Sequence, residues 1–133
     1  MNRTSKKVEK AYELAKEYYK DILLDDGSKY FDYVENVYNI SRSENEKIVT
    51  LLMGTIKYNI LTPHDLLFNF GPTVRDAVIT LTPLADESYP DYLLRIKTNP
   101  ISRAVKIAEN SYLVNKNDIS KEEFDKQLDV LIS

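Results

Sequence analysis

Residues Leu81 to Ala108 read LTPLADESYPDYLLRIKTNPISRAVKIA, and the assignment of this stretch decides the fold. Asn99-Pro100 places a proline where a helix can begin, because the first helical position has no intrahelical N–H bond to lose. Helices are predicted on both sides of it, over Asp91–Lys97 and Ile101–Val114. Just upstream, Val78-Ile79-Thr80-Leu81-Thr82 is rich in β-branched residues, a composition suited to strands. A lone strand leaves its own backbone groups without a ladder, so this run is assigned to a helix over Thr73–Leu81.

The helical pattern extends in both directions. Val8, Ala11, Ala15, Tyr18 or Tyr19, and Ile22 follow the three-and-four spacing of an amphipathic helix. Thr4 or Ser5 can cap its start, and Asp25-Asp26-Gly27 ends it as a turn. A shorter helix is predicted over Tyr30–Ile40. Ser43-x-x-Glu46 has the form of a capping box before a helix over Ile48–Tyr58. Thr62-Pro63 and Gly71-Pro72 again put proline at a first helical position, opening helices over His64–Phe70 and Thr73–Leu81. Thr62 with Asp65, and Ser120 with Glu123, repeat the cap spacing, the latter before a helix over Glu122–Ile132. Asn115 to Asn117 is the one weak joint.

Composition removes several classes of function. The chain has 133 residues, 43% hydrophobic and 29% charged, which suits one globular domain over residues 1–133. With no cysteine, disulfides, thiolate zinc sites and thiol catalysis are excluded. A net charge of -3 argues against nucleic acid as a partner. No apolar run reaches membrane-span length and no secretory signal is evident, so a cytoplasmic protein without membrane partners is expected. The three glycines, Gly27, Gly54 and Gly71, are isolated, so neither a P-loop nor a dinucleotide fingerprint is present.

Few residues offer chemistry on their own. His64 is the only histidine, and its place after Thr62-Pro63 marks it as a first-turn surface residue. Asp25, Asp26, Asp32 and Glu35 are explained by a turn and an exposed helix face, although their oxygens also suit a hard cation. The ten tyrosines are many for this length, and fit half-buried positions whose hydroxyls reach water or a partner.

The spacing Tyr89, Tyr92, Ile96, Asn99-Pro100, Ala104-Val105-Lys106 resembles the C-terminal half of the HD-domain phosphohydrolases. More narrowly, it is similar to the small stand-alone relatives of the hydrolase domain of RelA/SpoT-type alarmone enzymes. The resemblance runs from Ala11 to Leu113. In the family's first motif, His-x-Gly-Gln followed by a Gly, a Tyr and a second His, Gly27 and Tyr30 keep the anchoring spacing. The two histidines then fall on Tyr19 and Tyr33, the Gly-Gln pair on Asp21-Ile22, and a substrate-facing basic residue on Leu24. The second motif, Leu-Leu-His-Asp with a following Glu-Asp, keeps Leu51-Leu52 but carries Met53-Gly54 and Lys57-Tyr58 in place of the charged pairs. Thr62, Asp65-Leu66 and Phe70-Gly71 keep the landmarks that follow. The third, Val-Lys-x-Ala-Asp, keeps Val105, Lys106 and Ala108, with Glu109 for the aspartate, and a later Asn falls on Leu113.

The resemblance implies an all-α, HD-domain-like bundle of about seven or eight helices. It also implies a hydrolytic site whose divalent metal polarises phosphate oxygens and activates water. Such a metal needs several imidazole or carboxylate donors. A protonated phenol is a poor ligand, methionine is soft and neutral, glycine has no side chain, and Lys57 repels a cation. The expectation is therefore a degenerate pocket of Tyr19, Tyr33, Met53, Gly54, Lys57, Tyr58 and Glu109 with no catalytic residue, metal or cofactor. Tyr19, Tyr33, Tyr58 and Met53 are expected to plug the metal cavity. Lys57, Arg103 and Lys106 are candidates for anion binding, although Lys106 and Glu109 are spaced to pair with each other.

The implied function is that of a catalytically inactive pyrophosphohydrolase relative that binds a protein partner or a guanine-nucleotide-like ligand. Two alternatives stand beside it. One is an active phosphohydrolase with a metal site rebuilt from Glu109, Asp25, Asp26 and Asp32. The other is a helical domain that self-associates through a tyrosine-rich surface.

Overall fold

Helix α3 (Glu44–Leu52) carries five consecutive buried residues, Ile48, Val49, Thr50, Leu51 and Leu52. A helix buried on every side must be surrounded by others. The computed structural model, which describes residues 5–133, places α1 (Lys6–Tyr18), α2 (Tyr30–Ile40), α5 (Pro72–Leu81) and α7 (Pro100–Asn115) around it. Helix α4 (Pro63–Phe70) packs on α5, while α6 (Tyr89–Lys97) and α8 (Lys121–Ile132) pack on α7 and on each other. Among the described residues there is no strand, only an isolated bridge between Leu23 and Lys29. The all-α expectation holds, and the β-branched run closes α5 as helix.

The helix starts follow the capping chemistry. Ser5 caps α1 by accepting the Val8 N–H at 3.1 Å, whereas Thr4 lies outside the described residues. Thr62 and Asp65 form a full reciprocal capping box, with Pro63 in the first turn. The Asn99 side chain accepts from the N–H groups of both Ile101 and Ser102, at 3.0 and 3.1 Å, and Pro100 follows it. Ser43 and Ser120 make the hydroxyl half of the same motif.

Two helix ends differ from expectation. Helix α1 stops at Tyr18, not Ile22, because the next residue turns inward. Tyr19 is completely buried, and its hydroxyl donates to the Leu51 carbonyl at 2.8 Å and accepts from the Gly54 N–H at 3.2 Å. Helix α3 starts at Glu44 and stops at Leu52, well short of Tyr58. The Thr55 hydroxyl donates back to the Leu52 carbonyl at 2.8 Å, and the Thr55 carbonyl accepts from Ile60 and Leu61. Such local bonds compete with helix continuation, and Asn59, at φ 58°, completes the reversal. Met53 to Tyr58 therefore form a turn.

Arg95 fixes the connection from α5 to α6. Its guanidinium donates to the carbonyls of Thr80 and Thr82, both at 2.9 Å, and to both carboxylate oxygens of Glu87 at 2.8 and 2.9 Å. These bonds hold the Glu87 carboxyl down at about 2 against an ordinary value of 4.5. A carboxyl depressed in the folded state stabilises fully above its unfolded pKa, and that contribution fades as pH falls through the folded value. The stabilisation from this pair should therefore be lost between about pH 4.5 and about pH 2. Urea midpoints measured across that window should fall less steeply for Glu87→Gln than for the wild type. Equal slopes would place the acid sensitivity elsewhere.

Candidate functional site

A cleft of about 340 Å³ opens where α2, the turn after α3, the α5–α6 connection, α6 and α7 meet. The first turn of α2 supplies Tyr30 and Tyr33, and the turn after α3 supplies Met53, Lys57 and Tyr58. Helix α6 adds Tyr89 and Tyr92, and α7 adds Lys106 and Glu109; Leu24, Leu81, Thr82 and Pro83 close the rim. The early end of α3 is what positions Lys57 and Tyr58, since a continued helix would carry them along its own axis.

The inner wall is a closed polar network. Lys106 Nζ donates to one oxygen of Glu109 at 2.7 Å, and the Tyr33 hydroxyl donates to the other. The two charged side chains are only 10% and 16% exposed. Burial on its own disfavours the ammonium, but the Glu109 charge more than compensates and holds Lys106 above its ordinary pKa. Burial likewise pushes Glu109 up, and the charge and hydrogen bond of Lys106, the Tyr33 bond and the nearby Lys57 charge together bring it below its usual value. Burial, the Glu109 charge and their hydrogen bond drive the Tyr33 phenol far above its ordinary range. The network therefore consists of an ammonium, a carboxylate and a protonated phenol. Lys106 Nζ also stands 5.1 Å from the Tyr92 ring centre, a cation–π distance.

The floor beneath the cleft is built from Tyr19, Tyr30 and Gly54. A Cβ added at Gly54 would stand 2.6 Å from the Tyr30 hydroxyl and 2.8 Å from its ring. The ring of Tyr30 occupies the space that a side chain at position 54 would need. Tyr30 in turn meets Tyr19 edge-on at 4.9 Å and Tyr58 at 5.0 Å, and stacks on Tyr33 at 6.1 Å.

Of the expected pocket, Tyr33, Met53, Lys57, Tyr58 and Glu109 line the cleft, whereas Tyr19 and Gly54 lie under it. Plugging is partial: Tyr19 fills the floor, yet open volume remains above it. Arg103 corrects the expected cation trio, because it sits one helical turn before Lys106 on α7 and does not line the cleft. Tyr30, Tyr89 and Tyr92, which in the sequence serve only as spacing landmarks, also line the cleft. Asp25, Asp26 and Asp32 are exposed and absent from the cleft, and Asp26 accepts from the backbone and hydroxyl of Ser28 in a turn. His64 is exposed in the first turn of α4. Of the ten tyrosines, Tyr89 is exposed, Tyr12, Tyr18, Tyr33, Tyr38, Tyr58 and Tyr112 are partly buried, and Tyr19, Tyr30 and Tyr92 are buried.

No family model matches the sequence, and no curated protein does. The structure is similar to that of a metazoan orthologue of SpoT that hydrolyzes ppGpp and plays a role in starvation responses. The TM-score is 0.72 over 100% of this chain and 89% of that one, at 17% sequence identity. The all-α fold of this chain matches that structure over its full length. At this identity the likeness is one of architecture, so the chemistry rests on the residues of the cleft.

Those residues do not fit the divalent metal that the HD-domain resemblance implies. Among the described residues, no three His, Cys, Asp or Glu side chains gather to hold a metal ion. In the cleft the only carboxylate is Glu109, whose two oxygens are already engaged by Lys106 and Tyr33. A hard or borderline cation needs several oxygen or imidazole donors, and a neighbouring ammonium opposes it.

Two stability measurements check this geometry. Glu109→Leu or Lys106→Met alone strands a buried charge and should cost about 3–5 kcal/mol, whereas Lys106→Met with Glu109→Leu should recover most of it. Urea unfolding of the wild type and the three variants closes the cycle, and simple additivity would mean that the pair is not coupled. Gly54→Ala should cost about 1–3 kcal/mol by overpacking against Tyr30. An unchanged melting temperature would show that the Tyr30 ring yields freely.

Proposed function

We propose that this chain is a catalytically inactive relative of the HD-domain pyrophosphohydrolases that works by binding, holding a nucleotide-like ligand in its tyrosine cleft without a metal. The observation that carries this reading is the closed Tyr33–Glu109–Lys106 network. Hydrolysis needs a free donor set for a metal or a free acceptor to activate water. Here the one carboxylate has both oxygens occupied by protein donors, and the phenol beside it stays protonated.

Binding is supported by what the cleft offers. Its volume, about 340 Å³, lies at the small end of ligand pockets. Tyrosine rings on several walls suit a flat ring, since every nucleobase has a face that stacks. Lys57 is exposed at the cleft and makes no ion pair among the described residues, which leaves it available to an anion.

The experiment compares hydrolysis with binding in the same preparation. Incubation with guanosine tetraphosphate and Mn(II) should release no pyrophosphate, and thermal melts in chelator should rise when guanine nucleotides are added. A ligand selective for the folded state raises stability by about 2.7 kcal/mol at a hundred times its Kd. Pyrophosphate release that disappears in Glu109→Ala would overturn the reading in favour of a rebuilt enzyme.

A further inference from the structure

The charges of the cleft limit what it can accept, an inference that rests on the binding reading above. Its charged lining residues are Lys57, Lys106 and Glu109. Lys106 and Glu109 neutralise each other at 2.7 Å, so only Lys57 is left to meet a ligand's charge. Its ammonium lies 5.3 Å from the centre of the Tyr58 ring, which places the free cation beside an aromatic face.

A second, independent feature is the Tyr30 hydroxyl. Tyr30 is 7% exposed, and its hydroxyl makes no hydrogen bond among the described residues, unlike those of Tyr19, Tyr33 and Tyr92. Among the described residues no enclosed side-chain polar atom is left without a partner, so this hydroxyl touches open volume, and Tyr30 lines the cleft. Burial keeps the phenol protonated well beyond its ordinary range. A nearly buried donor facing a cavity is a group that a ligand acceptor satisfies.

We infer that the cleft selects a flat aromatic ring bearing a single anionic group, with Lys57 on the anion and Tyr30 donating to a ligand acceptor, and discriminates against polyphosphates. Each phosphate beyond the first adds negative charge that no free cation meets. The neutral wall offers that extra charge nothing in exchange for the water it loses on entering the cleft. The small volume acts in the same direction.

Calorimetric titration of the full chain in chelator tests the limit, with guanosine, guanosine monophosphate, guanosine diphosphate and guanosine tetraphosphate as probes. The monophosphate should bind about tenfold more tightly than guanosine, the size of one good charge-assisted contact. The diphosphate and tetraphosphate should bind more weakly than the monophosphate. Lys57→Gln should erase the advantage of the monophosphate over guanosine. Tyr30→Phe, checked for an unaltered melt, should weaken guanosine and the monophosphate alike. If the tetraphosphate binds as tightly as the monophosphate, or Lys57→Gln leaves the ranking intact, the charge limit is wrong although the cleft still binds. If none of the four binds, guanosine included, the binding reading itself fails.

Discussion

The contact on which the site depends is the buried pair of Lys106 and Glu109, closed by the Tyr33 hydroxyl. Removing two charges from water costs several kcal/mol per ion, and their mutual attraction compensates only when the geometry is good and the remaining lone pairs are satisfied. The geometry is good, since each Glu109 oxygen has its own donor and the ammonium also faces the Tyr92 ring. The network spans three elements: Lys106 and Glu109 lie on α7, Tyr33 on α2 and Tyr92 on α6. It thus fixes the width of the cleft as well as its charge.

Beneath it, the aromatic floor works by exchange of volume. Tyr30 lies where a side chain at position 54 would project, and the absence of that side chain allows the hydroxyl end of the ring to pack against the backbone. The Tyr19 hydroxyl satisfies the Leu51 carbonyl and the Gly54 N–H just where α3 ends. A buried backbone group without a partner is costly, so the tyrosine supplies what a regular helix would otherwise provide. Both tyrosines are therefore tied to Gly54. A bulkier residue at position 54 would displace Tyr30, and loss of the Tyr19 hydroxyl would uncover the end of α3.

The helix starts were legible because they depend on neighbours in sequence: a proline in the first turn, or a Ser, Thr or Asn side chain two or three residues from its target. Asn99-Pro100 and Thr62 with Asp65 are the clearest cases. The ends of α1 and α3 were not legible, because α1 ends where Tyr19 bonds to the distant Leu51–Gly54 segment, and α3 ends where Thr55 bonds back to Leu52 in competition with an apolar helical pattern. The same division holds at the site. Tyr33, Met53, Lys57, Tyr58 and Glu109 were located by the spacing of the family pattern, and all five line the cleft. Tyr30, Tyr89 and Tyr92 were in view only as markers of register, since nothing in a linear spacing says that a marker's side chain also forms a wall. Arg103 was misplaced because a three-residue interval puts it on nearly the same helical face as Lys106, yet about 4.5 Å further along the axis.

A cleft whose wall contains a carboxylate needs positive charge nearby, whether from a bound cation or from the protein. In this chain the lysine three residues earlier on the same helix supplies it, within hydrogen-bonding distance. The charge is then permanent and covalently attached, so the wall needs no ion to be stable. The corollary is electrostatic: a neutral wall attracts no phosphate, and the attraction falls to Lys57 at the mouth, where solvent screens it. Under the binding proposal, affinity comes mainly from ring stacking and desolvation, with charge setting selectivity. That is the reverse of a site organised around a metal ion, where the cation is the largest local charge and governs both binding and chemistry.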